Sequence, residues 1–213
     1  MTQIQKVVDE AEVVGSGHGY VWRRLVHTTI RLLAEGRPIE AAEIADASGI
    51  PLDEVEQALA GMSDVERDEA GRIVGMGLTM RPTPHVMRID GKTLYAWCAM
   101  DTLAFASILD WPVTIESPDH ASGEPIRIEA DGHRVRAAEP ATAVVSWWVD
   151  PAGEGLRGTL CGNGHFFASA DSAAGWLAER PGASVLTLEA AFAAGRRMVF
   201  EALGESGAVG AAS

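Results

Sequence analysis

The sequence predicts an α+β fold: an N-terminal winged-helix-like helical module, followed by a mixed or antiparallel β-sheet core with flanking helices. Three observations lead there. Between Tyr20 and about Thr79 apolar residues recur at three and four, the period of helices. From Val113 to Val149 apolar and polar residues alternate instead, the period of strands. Arg81-Pro82-Thr83-Pro84 separates the two patterns, because each proline holds its predecessor extended. The chain is therefore divided into a helical module over 1–80 and a catalytic α+β part over 81–213.

In the first part Val21, Trp22, Leu25, Val26, Thr29, Leu32 and Leu33 form one helical stripe, which Gly36 ends. Ile39 to Ala45 makes a short helix, Ser48-Gly49-Ile50 a turn, and Pro51 to Leu59 a second helix with Asp53 and Glu54 at its positive end. A hairpin follows, from Asp64 to Arg67 and from Arg72 to Leu78, turning at Asp68–Gly71. Helix-turn-helix followed by a wing suggests DNA binding. The second helix, however, carries Asp53, Glu54 and Glu56 and no basic residue, so a duplex would repel it. The module is expected to serve packing.

In the second part His85 to Asp90 alternates as a strand and turns at Asp90-Gly91. Thr93 to about Leu109 reads as one buried helix, apolar on most sides. Strands are expected at Val113–Glu116, Pro125–Ala130, Val135–Ala137 and Thr142–Val149, and again through Leu156–Cys161 and from His165. Asp171-Ser172 is expected to cap a helix around Trp176, and the last helix to run from Leu188 to Leu203 ahead of a disordered tail from Gly204.

Bulk properties exclude several classes. The 213 residues carry 47% hydrophobic and 22% charged side chains, an ordinary globular content. With 17 basic against 30 acidic residues and a net charge of −13, a nucleic-acid partner is not expected. No apolar run approaches the ~20 residues that span a bilayer, and the acidic start from Met1 to Glu12 lacks a signal pattern, so the expected location is cytoplasmic, with no membrane partner. In a reducing cytosol Cys98 and Cys161 should remain thiols.

Those two are the only cysteines in the chain. Cys98 has two possible roles, a small buried hydrophobe or a nucleophile and soft-metal ligand. Asp101 weighs towards chemistry: at i+3 on a helix it would share a face with the thiol, where its buried carboxyl would hold a proton near neutrality. It could equally bond a backbone N–H or face solvent. Cys161 precedes Gly162-Asn163-Gly164, which can bend sharply towards a ligand, or it is an ordinary strand cysteine beside a bulge. His165 follows at Cys-x3-His, and a zinc site would require Cys98, Asp101, Cys161 and His165 to converge without the paired C-x2-C spacing. His18, His27, His85, His120 and His133 show no ligand spacing, and Gly15-Ser-Gly-His-Gly19 lacks the lysine of a phosphate loop. Tyr95 and Trp97 are the candidate pocket walls.

Several stretches resemble the alkylmercury (organomercurial) lyases. They are Ala34-Glu-Gly-Arg-Pro38, Gly75-Met-Gly-Leu-Thr-Met-Arg81, Leu94-Tyr-Ala-Trp-Cys98-Ala-Met-Asp101-Thr-Leu, Ala138-Glu-Pro140, and Cys161 with His165-Phe-Phe-Ala-Ser169. The likeness runs from about Val21 to Phe200. It implies that Cys98, Asp101 and Cys161 form the catalytic set and cut the carbon–mercury bond by protonolysis, giving a hydrocarbon and Hg(II). It implies no organic cofactor or resident metal. The product, held by two sulfurs, would pass to small external thiols or to a mercuric reductase. Well-known members carry further cysteines where this chain has Gly162 and, near the loop, Asp119 or His120. The rival reading from the residues is a non-catalytic mercury-binding or sensing protein that uses the same two thiols.

Overall fold

The computed structural model describes Gln5 and residues 20–62, 64–109 and 111–200. The acidic N-terminal segment, the Gly15–Gly19 stretch with His18, the side chains of Val21 and Trp22, and the tail from Gly204 lie outside what it describes. The helical module begins with α1 (Tyr20–Leu33), α2 (Ala41–Ser48) and α3 (Leu52–Ala60). Leu25, Ile30 and Leu33 are fully buried along α1, as the apolar stripe requires. Glu40 and Glu43 form a reciprocal capping box on α2, and Gly49 ends it in the left-handed conformation.

The wing is β1 (Glu66–Arg67) and β2 (Ile73–Met76), and here the expected strand from Arg72 to Leu78 breaks. Gly77 has φ 79° and turns the chain into β3 (Leu78–Thr79), which pairs back on β2. Then β4 (His85–Ile89) and β5 (Lys92–Ala96) form a hairpin around Asp90 and Gly91. Both turn residues have positive φ, 49° and 74°, which matches the twist of the flanking strands.

That hairpin corrects the expected helix over Thr93–Leu109. Leu94 and Ala96 alternate inwards while Thr93 and Tyr95 alternate outwards, and helix α4 (Ala99–Leu109) starts only after Cys98. The remaining strands of the sheet are β6 (Val113–Pro118), β7 (Pro125–Ala130) and β8 (Val135–Glu139). The eight strands run β1-β2-β3-β5-β4-β6-β7-β8, with every pairing antiparallel, so the sheet is continuous across residue 80.

A second, three-stranded antiparallel sheet has the order β10-β9-β11, with β9 (Val144–Trp147) central. Its edges are β10 (Phe166–Phe167) and β11 (Ser184–Thr187), the latter not expected from the sequence. Between β9 and β10 the expected strand Leu156–Cys161 is instead a short helix, α5 (Gly155–Thr159), and a 3-10 turn at Cys161–Asn163. Glycines at 153, 155, 158 and 162 leave that segment no continuous side-chain face to pack as a strand. Helix α6 (Ala174–Ala178) starts from Ala173 without a side-chain cap, because the Ser172 hydroxyl donates to Asp119 instead of serving the helix. The chain's described part closes with α7 (Leu188–Phe200).

Helix α4 is the centre of the core. It packs on β3, β4 and β5 on one side and on β9 and α7 on the other, and α1 leans against it as well. Ten of its eleven residues are buried, and Asp101 is half-buried.

Candidate active site

Cys98 lies in the step between β5 and α4, where the chain changes from extended to helical. Its sulfur accepts the backbone N–H of Asp101 at 3.4 Å, the contact an N-cap side chain makes with the third helical residue. The Asp101 N–H and the positive end of the α4 dipole thus face the sulfur and favour thiolate, against the burial described below. The expected i, i+3 placement within one helix is thus replaced by a cap and the first turn. Cys98 and Asp101 still meet.

Cys161 arrives from the other side, on the 3-10 turn. The ligand atoms of Cys98, Asp101 and Cys161 all lie within 4.8 Å of one another. Close approach of the two segments depends on Gly164. A Cβ there would come within 2.9 Å of the Cys98 Cβ and 3.1 Å of its sulfur. The Gly164 carbonyl also accepts the Ala99 N–H at 2.9 Å and so fastens the turn to the start of α4.

Both sulfurs are buried and reduced. Asp101 Oδ2 is buried with no hydrogen-bond partner, an arrangement that costs stability and asks for a purpose. Burial pushes the Asp101 carboxyl from its usual 3.8 up to about 6; hydrogen bonds from the sulfurs and the charge of Arg157 limit the rise. Burial likewise raises the Cys98 thiol, while hydrogen bonds from Cys161 and from the Asp101 N–H oppose this. Cys161 is raised well above its ordinary value, first because its proton is shared towards Cys98 and then by burial. Cys98 is the sulfur seated at the N-terminus of α4, and Cys161 shares its proton with it.

Trp97 is buried beside this group, and the Arg157 guanidinium lies 4.7 Å from the centre of its ring. Glu66 of β1 ties both together, accepting from Trp97 Nε1 at 3.1 Å and from Arg157 at 2.9 Å. Asp64 accepts the Leu156 N–H at 2.9 Å, so the wing holds α5, and with it Arg157, beside Trp97. Tyr95, the other candidate wall, alternates to the outer face of the sheet beside Val86, away from the side covered by α4. His165 stacks on His120, ring centres 3.7 Å apart, and its nitrogens do not join the three-residue group. The four-ligand set needed for zinc is therefore not assembled among the described residues. Arg157, Glu66 and Ser146 were not singled out from the sequence, where a lone arginine or serine carries no spacing signal, whereas Gly164 belongs to the bend expected after Cys161.

Residues 78–200 match the family model described as alkylmercury lyase, and residues 7–77 match the helix-turn-helix domain of alkylmercury lyase. The chain is 45% identical over 181 residues to an alkylmercury lyase of Streptomyces lividans, covering 85% of this chain and 82% of that protein. It is 42% identical over 200 residues to one of Bacillus cereus, covering 92% and 91%. To one of Pseudomonas putida it is 36% identical over 197 residues, covering 92% and 93%. Among solved structures, the crystal structure of the mercury-bound form of MerB2 superposes with a TM-score of 0.72 at 26% identity, covering 93% of this chain and all of that one.

Proposed function

This chain belongs to the alkylmercury lyase family, and on that premise we propose that it cleaves the carbon–mercury bond of R–Hg⁺ by protonolysis. The observation that carries the chemistry is the convergence of two thiols and one perturbed carboxyl within 4.8 Å. Mercury is soft and prefers thiolate, so Cys98, the sulfur at the positive end of α4, captures R–Hg⁺ as R–Hg–S. Cys161 then brings both a second sulfur and a proton. Asp101, ionised above about pH 6, takes that proton as the Cys161 sulfur closes on mercury and delivers it to the carbon. The balance is one R–Hg–thiolate and one thiol giving R–H and Hg(II) bridged by two thiolates.

No group outside the chain is needed for cleavage. Release exchanges the two protein sulfurs for two external thiols, or hands Hg(II) to a mercury-reducing partner. The acidic, exposed Asp53, Glu54 and Glu56 of α3 support a packing rather than a duplex-binding role for the helix-turn-helix. Among the described residues no helix is long and apolar enough to cross a membrane.

The test is to incubate reduced protein with methylmercury or phenylmercury and excess small thiol, and to assay methane or benzene. Hydrocarbon that disappears in Cys98→Ser, Cys161→Ser and Asp101→Ala supports the lyase. Tight mercury retention without hydrocarbon in the parent protein would instead indicate a binding or sensing protein.

A further inference from the structure

Ser146 sits on the central strand of the small sheet, between Val145 and Trp147, and is fully buried. A hydroxyl in that position gains little from the strand itself and must be satisfied or it destabilises the core. It is satisfied entirely by the turn that carries Cys161. Ser146 Oγ donates to the Asn163 carbonyl at 2.7 Å and accepts the His165 N–H at 2.8 Å. The Ser146 N–H donates in turn to the His165 carbonyl at 2.9 Å. One residue thus grips the backbone on both sides of Gly164, whose own surface presses on Cys98.

We propose that Ser146 is a positioning residue for the second thiolate: its hydroxyl holds the Cys161–Gly164 turn at the spacing from Cys98 that lets both sulfurs bind one mercury. Cys161 lies only two residues before Asn163, so a shift of the clamped carbonyl moves its sulfur directly. Displacements near 1 Å at a reacting group cost up to ~100-fold in rate. The inference deepens the lyase assignment and rests on Cys161 being a mercury ligand.

The test is a double-mutant cycle on Hg(II) affinity, measured by competition with a small thiol, using parent, Ser146→Ala, Cys161→Ser and the double variant. Ser146→Ala should weaken Hg(II) binding at least ~10-fold in the parent and less than ~2-fold in Cys161→Ser, because without that sulfur there is nothing left to position. In turnover, kcat should fall while KM, set by capture at Cys98, stays near the parental value. Ser146→Thr, which keeps donor and acceptor, should recover affinity towards the parent. Equal losses in both backgrounds, or no loss in either, overturn the proposal, as does a folded Ser146→Thr no better than Ser146→Ala. Near-UV circular dichroism establishes that each variant is folded. Because the readout is Hg(II) binding, the cycle stands even if the parent releases no hydrocarbon, which would sink the lyase assignment alone.

Discussion

At the scale of single residues, Asp101 sets a conflict between stability and chemistry. Its carboxyl titrates near 6 in the folded protein against 3.8 in a free chain, so the folded state binds the proton more tightly between those values. Stability therefore falls as pH rises from about 4 to about 6, and the full penalty remains above that. The size is at most about 3 kcal/mol, from roughly 1.4 kcal/mol per pKa unit. Asp101→Asn should thus raise the melting temperature at pH 7.5, lose that advantage near pH 4, and release no hydrocarbon. A melting temperature unchanged at both pH values would show that the buried oxygen carries no penalty. Arg157 is a second handle, since its charge lowers the Asp101 pKa. In Arg157→Ala the acid limb of the pH–kcat profile should move to higher pH; a limb that stays in place would remove Arg157 from the electrostatics of the site. That Cys98 and Asp101 would meet was legible in the Tyr95–Asp101 stretch, and the approach of Cys161 in the Gly162–Gly164 bend that follows it. The supporting shell was not, because Ser146, Glu66 and Arg157 reach the site only through folding.

At the scale of elements, the sequence was most legible where one periodicity ran unopposed, as in α1 and in the alternation of β6 and β7. It misled at Thr93–Trp97, where an alternating strand leads into an apolar helix and both patterns blur into one apolar run. It misled again at Leu156–Cys161, where β-compatible residues are spaced by glycines that permit a tight helical turn. Strand β11 was invisible because Ser184–Thr187 is too short to display a period. Packing between α4 and α7 shows how such elements are fixed: a Cβ on Gly195 would lie 3.0 Å from both Cα and Cβ of Ala104. Gly195→Ala offers up to ~1 kcal/mol of helix propensity, but its Cβ must displace the Ala104 backbone, which offsets that gain. Gly195→Val adds two methyl groups to the same gap and should destabilise by about 1–3 kcal/mol. Chemical denaturation of the two variants decides it, and equal midpoints for Val and parent would mean that the helices separate at no cost.

At the scale of the whole molecule, the helical module is built into the catalytic part. Strands β1, β2 and β3 continue the sheet that contains β4 to β8. Leu25, Ile30, Leu33, Ile39 and Ile44 are fully buried in the same cluster as Met87, Leu103 and Ile115. Side chains of the wing, Asp64 and Glu66, hold α5 and Arg157 over Trp97. Burial of a large aliphatic side chain is worth about 1.5–3 kcal/mol, so the five of them amount to roughly 7–15 kcal/mol, comparable to the whole stability of a typical domain. The full chain should therefore unfold in one transition, coincident by far-UV and near-UV circular dichroism. Residues 78–200 expressed alone should show no cooperative transition and no carbon–mercury cleavage, since β3 would become an uncovered edge and the α1-facing side of α4 would meet water. A sigmoidal melt from that fragment would mean that the helix-turn-helix is dispensable to the core. Cleavage by the fragment would mean further that the hold of Glu66 and Asp64 on Arg157 and α5 is not needed for the chemistry.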